Sequence, residues 1–269
     1  MGGVTINTAQ LNDDLSAEQR ALDEILAPLD ADRWSRPTPS ARWTVADQVA
    51  HLTFFDQAAT VAIERPDDFD ALVEELLRAA LGGDEAMDDH TLGRYRKMAP
   101  GDLLEAWRAG REALRRAAGS LDDDDRVTWF GPSMSARSFL TARLMEVWAH
   151  GQDVCDAVGA SRVPTARLAH IARLGFLTRG WTYVNRGAVA PTTEVRVDLT
   201  GPDGQVWSFG PDDADERVAG SAEEFCLVVT QRRHVDDTSL EVTGDDALTW
   251  MTQAQAFAGP PTDPPVPST

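Results

Sequence analysis

Apolar residues recur every three or four positions through most of residues 16–185, which is the spacing of amphipathic helices. This pattern predicts five main helices, which begin near Ser16, Thr44, Pro100, Ser135 and Pro164. The second helix starts with a capping box, Thr44 to Asp47, and should run to about Glu64. The fourth should end near Val158. Residues 67–98 are expected to form a shorter helical excursion between the second and third helices.

Beyond Pro191 the apolar period changes from three or four residues to two, which indicates β-strands. Strands are predicted over 195–199, 206–209 and 240–242, with helices beginning at Ser221 and Asp245. The predicted fold class is therefore α+β, with a helical domain over 1–187 and a smaller α/β domain over 192–258. Five prolines in the last eleven residues predict a disordered tail over 259–269.

The composition excludes several classes of function. A formal net charge of −19 disfavours binding to nucleic acid or to an anionic membrane surface. The two cysteines, Cys155 and Cys226, form no CxxC pair, so a cysteine-based zinc site is excluded. No apolar run is long enough to cross a membrane, and we expect a cytoplasmic protein.

One pair of residues in the predicted fourth helix suits a metal ion. Glu146 and His150 are four residues apart, so their side chains share a helix face, and a carboxylate with an imidazole suits zinc or a similar divalent cation. His51, in the second helix, is the candidate third ligand. All three are flanked by apolar residues, and buried ionisable groups need partners. Three protein ligands would leave one position open for water or substrate. The alternative is a surface hydrogen-bonded pair that arises by chance.

Two aspartates near these residues could orient a ligand imidazole. Asp47 precedes His51 by four residues, and Asp153 follows His150 by three. Asp47 has a structural explanation as a capping residue, which we prefer. Asp153 has none, because it lies inside the helix on the ligand face, so it is a candidate to orient a ligand or carry a proton.

Two segments about 95 residues apart resemble the mycothiol-dependent maleylpyruvate isomerase family. They are Trp43-Thr-Val-x-Asp47-x-x-x-His51-Leu52 and Glu146-x-x-x-His150-Gly-x-Asp153. The resemblance implies a DinB-like metal-binding four-helix bundle with a C-terminal α/β domain. It implies zinc on His51, Glu146 and His150, and a low-molecular-weight thiol, mycothiol, as cofactor.

The same resemblance implies an active-site arginine from the C-terminal domain. Arg232 is the preferred match and Arg233 the near alternative, at the end of the helix predicted from Ser221. A guanidinium fork suits a substrate carboxylate. A basic helix end that complements the helix dipole explains the same residues equally well.

The function predicted from these residues is a metal-dependent, thiol-using isomerase or transferase that acts on a small electrophilic substrate. The metal would lower the pKa of the thiol, and the thiolate would attack an electrophilic carbon. A non-catalytic metal-binding or sensor protein is an alternative, as is a metal-assisted hydrolase that uses the same three ligands and Asp153. The chain is expected to act as a monomer or a homodimer.

Overall fold

The computed structural model describes residues 7–268, apart from the side chain of Pro132. The first six residues of the predicted helical domain and the last residue of the predicted tail lie outside this range. The α-helices are α1 (Thr8–Leu26), α2 (Ala31–Trp34), α3 (Val45–Glu64), α4 (Pro66–Leu81), α5 (Asp84–Leu92), α6 (Pro100–Ala118), α7 (Ala136–Val158), α8 (Leu168–Leu177), α9 (Arg179–Asn185), α10 (Ala222–Val229) and α11 (Asp245–Met251). The strands are β1 (Arg126–Trp129), β2 (Gly131–Ser135), β3 (Val195–Thr200), β4 (Val206–Phe209), β5 (Glu216–Ser221) and β6 (Glu241–Thr243). The α+β class predicted from the sequence is confirmed.

The chain divides into two compact units after Ser161. In the first unit α1, α3, α6 and α7 pack against one another as a four-helix bundle, and α4 and α5 form the predicted excursion. No helix in the described range is both long enough and apolar enough to cross a membrane. The unit boundary falls before α8, earlier than the boundary predicted near residue 187, because α8 packs against α10.

The start of α3 follows directly from its sequence. The Thr44 hydroxyl accepts a hydrogen bond from the Asp47 backbone N–H (3.3 Å), and the Asp47 carboxylate accepts one from the Thr44 backbone N–H (2.9 Å). These reciprocal bonds satisfy donors that a helix start leaves unpaired. The predicted capping box is therefore confirmed. The other Asp47 oxygen accepts a hydrogen bond from Arg96 Nε at 2.7 Å.

The predicted start of the first helix is wrong. Helix α1 begins at Thr8, where the Asn7 side chain accepts a hydrogen bond from the Gln10 backbone N–H at 2.8 Å. Ser16 lies inside the helix, and its hydroxyl donates to the Asn12 carbonyl at 2.8 Å. A serine that bonds back to the preceding turn fits a helix interior, so the capping-box pattern at Ser16 is a coincidence of sequence.

A two-stranded hairpin, β1 and β2, connects α6 to α7 and was not predicted from the sequence. The two strands are antiparallel, with Val127 opposite Met134 and a register shift before Trp129. The strands are only four and five residues long, and residues 131–135 lack a clear apolar alternation. The acidic residues 122–125 that precede the hairpin form a loop.

The second unit contains a four-stranded sheet in the order β4-β3-β5-β6. Strands β3 and β5 are parallel, and the other two pairs are antiparallel. The sequence pattern did not predict β5. The fifth helix, predicted from Pro164, begins instead at Leu168 and is divided at Thr178 into α8 and α9. Gly175 permits close packing of α8 against α10, because a Cβ atom there would lie 2.8 Å from Val229 Cγ2.

The proline-rich tail has no regular secondary structure, and several hydrogen bonds connect it to its own unit. The Thr262 backbone N–H donates to the Gln255 side chain at 3.1 Å, and Arg186 pairs with Asp263 at 3.1 Å. The Ser268 backbone N–H donates to Asp237 at 2.9 Å. The disorder predicted for this tail stays a prediction.

A buried ion pair joins α3 to α7 inside the bundle. Arg143 Nη2 lies 2.9 Å from Asp56 Oδ1, and these side chains are only 3% and 0% exposed. Gln19 of α1 donates to the other Asp56 oxygen at 3.1 Å. Burial raises the pKa of Asp56, and the Arg143 guanidinium opposes that rise. Each charge therefore depends on its partner, because an isolated buried charge costs several kcal/mol.

We expect Arg143→Met to destabilise the protein by about 3–5 kcal/mol, because it leaves Asp56 buried without its partner. The double variant Asp56→Leu/Arg143→Met removes both charges and should recover most of that loss. Arg137→Met, which removes an exposed arginine from the same helix, is the matched control. Urea unfolding measures all three. A free energy of unfolding for Arg143→Met within 1 kcal/mol of the parent protein, on the order of an ordinary surface change, would contradict this account.

Candidate metal centre

The bundle brings together the three side chains that the sequence singled out as metal ligands. His51 extends from α3, and Glu146 and His150 extend from successive turns of α7. Glu146 Oε2 lies 3.2 Å from His51 Nε2 and 3.1 Å from His150 Nε2. One possible ligand atom from each residue lies within 4.8 Å of the other two. We call these three residues the triad.

A buried glutamine determines which nitrogen of His150 faces the triad. Gln48, one turn before His51 on α3, is fully buried, and its Oε1 lies 2.6 Å from His150 Nδ1. The Gln48 amide nitrogen donates to the Thr38 hydroxyl at 2.8 Å, so the amide oxygen is the atom left to face His150. Nδ1 then carries the proton, and in the neutral ring Nε2 carries a lone pair.

The hydrogen bonds of His150 indicate that a positive charge belongs between His150 Nε2 and the Glu146 carboxylate. With Nδ1–H committed to Gln48, the lone pair of neutral His150 Nε2 points at a carboxylate oxygen 3.1 Å away. Two acceptors at that distance repel unless a proton or a cation lies between them. Two imidazole nitrogens and one carboxylate oxygen are also a common donor set for catalytic zinc. The residues present therefore fit a divalent metal.

The local environment also favours the protonation states that metal binding requires. Burial lowers the pKa of His51 from 6.5 to about 4, and the neighbouring His150 adds to this effect. Burial alone would raise the pKa of Glu146, but hydrogen bonds to His150 and His51 hold that pKa well below its usual value. At neutral pH His51 is thus neutral and Glu146 is ionised, as ligands must be.

Aromatic rings flank the triad on two sides. The Trp43 ring stacks on His150, with centroids 5.9 Å apart, and tilts against His51 at 5.1 Å. Phe55, one turn further along α3, contacts the His51 ring at 4.6 Å. These rings restrict the orientations of both imidazoles and reduce the access of water to them.

The two aspartates proposed as supporting residues have different surroundings. Asp47 fills its capping role and pairs with Arg96, as the structural explanation predicted. Asp153 is buried beside His150, and its Oδ2 lies 3.8 Å from Nδ1, which is beyond hydrogen-bond distance. The Ser40 hydroxyl donates to the same oxygen at 3.1 Å. Gln48, which the sequence analysis overlooked, makes the direct bond to the imidazole. Its position three residues before His51 was the available signal.

The candidate arginines lie in the second unit. Helix α10 ends at Val229, so Arg232 lies in the turn beyond the helix rather than at its last residue. Its backbone N–H donates to the Leu227 carbonyl at 2.7 Å, and its Nη1 donates to the Thr230 carbonyl at 2.7 Å. Both Arg232 and Arg233 are half-buried. Their predicted role in substrate binding stays a prediction.

Comparison with protein families gives two matches. Residues 15–155 match the family described as the mycothiol maleylpyruvate isomerase N-terminal domain, which covers the bundle and all three triad residues. Residues 191–242 match a family described as wyosine base formation, which covers most of the sheet in the second unit.

Comparison with individual proteins agrees with the first family. Relatives from two strains of Mycobacterium tuberculosis, each called an uncharacterized protein, are 44% identical over 248 residues, which is 92% of this chain and 95% of theirs. Crystal structures of a mycothiol-dependent maleylpyruvate isomerase and of its histidine-to-alanine mutant superpose with a TM-score of 0.55 at 17% and 16% identity. Each alignment covers 84% of this chain and 90% of the other. At that identity the likeness establishes the shared fold.

We expect Gln48→Leu to weaken divalent metal binding by roughly ten- to a hundredfold, because His150 loses the acceptor that fixes its tautomer. Gln48→Glu is the matched variant, since it keeps an acceptor oxygen at the same position and should retain most of the affinity. Titration with zinc against a competing chelator measures both. Equal zinc affinities for Gln48→Leu and the parent protein would show that Gln48 does not contribute to metal binding.

Proposed function

The chain belongs to the mycothiol maleylpyruvate isomerase N-terminal domain family, and from this membership we propose that it is a metal-dependent enzyme that uses mycothiol. The reaction class is isomerisation or S-transfer on a small electrophilic substrate. The observation that carries the proposal is the convergence of two imidazole nitrogens and a carboxylate oxygen within 4.8 Å in the bundle. This donor set is what a thiol-activating divalent cation requires.

Each residue of the centre has a defined part in this proposal. His51, Glu146 and His150 would hold the divalent cation, with zinc as the first choice. When bound, such a cation supplies a positive charge that favours the thiolate over the thiol at neutral pH. Gln48 keeps the Nδ1 proton of His150 in place, so that Nε2 stays available as a ligand.

The flanking side chains would prepare the site for a thiol rather than for water. Trp43 and Phe55 cover the imidazoles with apolar surface, and electrostatic interactions are stronger where water is excluded. Asp153 is positioned beside His150 and can hold a proton that the reaction releases. Arg232 is the proposed receptor for a carboxylate of the substrate.

We expect protein purified without an affinity tag to contain about one divalent metal per chain, because the triad supplies three ligands. His150→Ala should lose this metal, whereas His90→Ala, a change to another half-buried histidine of the same unit, should keep it. Elemental analysis measures the content. Mycothiol-dependent turnover of a conjugated enone or an epoxide should fall in parallel with the metal.

The outcomes of this experiment distinguish the candidate functions. A His51→Ala/Glu146→Ala/His150→Ala variant that retains a full equivalent of metal would disprove the site. Stoichiometric metal without thiol binding would favour the metal-binding or sensor alternative. Metal-dependent turnover of an ester or amide without thiol would favour the hydrolase alternative.

We expect Arg232→Ala to weaken the binding of a carboxylate-bearing substrate by roughly ten- to a hundredfold, as loss of a charge-assisted fork predicts. A chain of net charge −19 repels such ligands unless a local cation receives them. Arg232→Lys should recover only part of the affinity, because the bidentate geometry is lost. Metal content should not change. The matched control is Arg217→Ala, an exposed arginine of the same unit. Unchanged affinity for Arg232→Ala would exclude this role for Arg232 and leave Arg233 as the candidate.

A further inference from the structure

One tryptophan contacts both imidazoles of the triad, and groups outside the triad hold it in place. The centroid of the Trp43 ring lies 5.1 Å from that of His51 and 5.9 Å from that of His150. The planes of Trp43 and His150 differ by 26°, so these two rings stack. A ring packed on an imidazole limits its rotation, and that rotation decides where the ligand nitrogen points. A constraint on Trp43 therefore constrains both imidazoles.

A buried carboxylate on α5 fixes the indole. Asp88 is only 6% exposed, and its Oδ1 accepts a hydrogen bond from Trp43 Nε1 at 3.1 Å. An indole has a single N–H donor, so Asp88 satisfies the whole hydrogen-bonding capacity of this side chain. The bond spans 45 residues of sequence, from the loop before α3 to α5. The excursion formed by α4 and α5 is thereby connected to the candidate metal centre.

Two arginines hold the other oxygen of Asp88. Arg42 Nε donates to Oδ2 at 3.3 Å, and Arg96 Nη2 lies 3.9 Å from the same oxygen. Arg96 Nε also donates to Asp47, the capping residue of α3, at 2.7 Å. Each oxygen of Asp88 thus has its own partners. These partners compensate the burial of the charge and favour one orientation of the carboxylate.

The backbone directly before Trp43 has an unusual conformation. Arg42 has a φ angle of 67°, in the left-handed region that a residue with a Cβ atom rarely adopts. Such a conformation persists only where the surrounding contacts hold it. Here Arg42 pairs with Asp84 at 3.0 Å and with Asp88, and the Thr38 backbone N–H donates to the Trp43 carbonyl at 2.8 Å. These contacts present the indole to the triad in one direction.

We propose that Asp88 is a positioning residue of the metal centre, which holds the Trp43 indole against His51 and His150 and thereby orients their ligand nitrogens. This inference rests on the proposed function, because it requires the triad to bind a metal. Gln48 holds His150 by a direct bond to Nδ1, whereas Asp88 acts on both imidazoles through one intervening ring.

A double-variant cycle on zinc affinity tests this link. Asp88→Ala removes the acceptor, and Trp43→Phe removes the donor but keeps an aromatic ring. We expect each variant to bind zinc about tenfold more weakly, at the lower end of the cost of losing a group that orients a metal ligand. The variant with both changes should bind about as weakly as either single variant, because all three break the same link. Competition with a chelator gives the affinities.

Two further variants separate the hydrogen bond from the charge. Asp88→Asn keeps an acceptor oxygen for the indole and loses the negative charge, so it should recover most of the tenfold loss. Asp84→Ala removes the exposed carboxylate that pairs with the same Arg42, and it changes the net charge as Asp88→Ala does. It should bind zinc as the parent protein does.

The visible absorption of the cobalt-loaded protein supplies a readout that a purely structural role would not change. The d–d bands of cobalt(II) depend on the number and direction of its ligands. At saturating cobalt, Asp88→Ala and Trp43→Phe should both shift these bands, whereas Asp84→Ala should give the parent spectrum. Urea unfolding of the metal-free proteins shows that each variant is folded. If Asp88→Ala does not fold, Asp88→Leu, which fills the same space without an acceptor, takes its place.

Other outcomes overturn the inference in distinguishable ways. If Asp88→Ala keeps the parent affinity and the parent cobalt spectrum, or if the losses of the two single variants add, Asp88 does not act through Trp43 and the proposed function stands. An equal loss for Asp84→Ala would assign the effect to net charge. Lower stability with the parent affinity and spectrum would give Asp88 a structural role alone. If the parent protein binds neither zinc nor cobalt, the proposed function fails, and this inference fails with it.

Discussion

The contact between α3 and α7 is the constraint on which the candidate centre depends. His51 lies on one helix, and Glu146 and His150 lie on the other, so the ligand atoms converge only at one relative position of the two helices. The buried pair between Arg143 and Asp56 crosses the same contact about one turn away. Ion pairs of this kind contribute little net stability but penalise every other helix register, since a shifted register leaves both charges unpaired.

The burial of the triad lowers the stability of the folded chain. Its carboxylate and imidazoles are mostly buried, and the lone pair of His150 faces an ionised oxygen unless a proton or a cation lies between them. The surrounding bonds offset this cost: Gln48 satisfies Nδ1, and Trp43 and Phe55 pack on the rings. A cation that binds only the folded chain would stabilise it further in proportion to its affinity. Strain of this kind is expected where a bundle interior is used for chemistry rather than for packing alone.

Sequence reasoning succeeded where the information is local. The Thr44 capping box located α3, and the four-residue spacing placed Glu146 and His150 on one face, because both depend only on helix geometry. It failed where partners are distant in sequence or segments are short. The Gln48 contact spans 102 residues, and neither β1 nor β5 is longer than six residues. The false cap at Ser16 shows the reverse error, since a local pattern cannot reveal that a serine is bonded within its own helix.

Membership of the family does not by itself decide the chemistry, because the same three ligands would serve a thiol or a water molecule equally well. The difference lies in what surrounds them. A hydrolytic centre needs an ordered path for water and a base within hydrogen-bond reach of it. Here two aromatic rings flank the imidazoles, and the Asp153 carboxylate is buried against Ser40. Both features support the proposal of a thiol rather than a water molecule as the nucleophile.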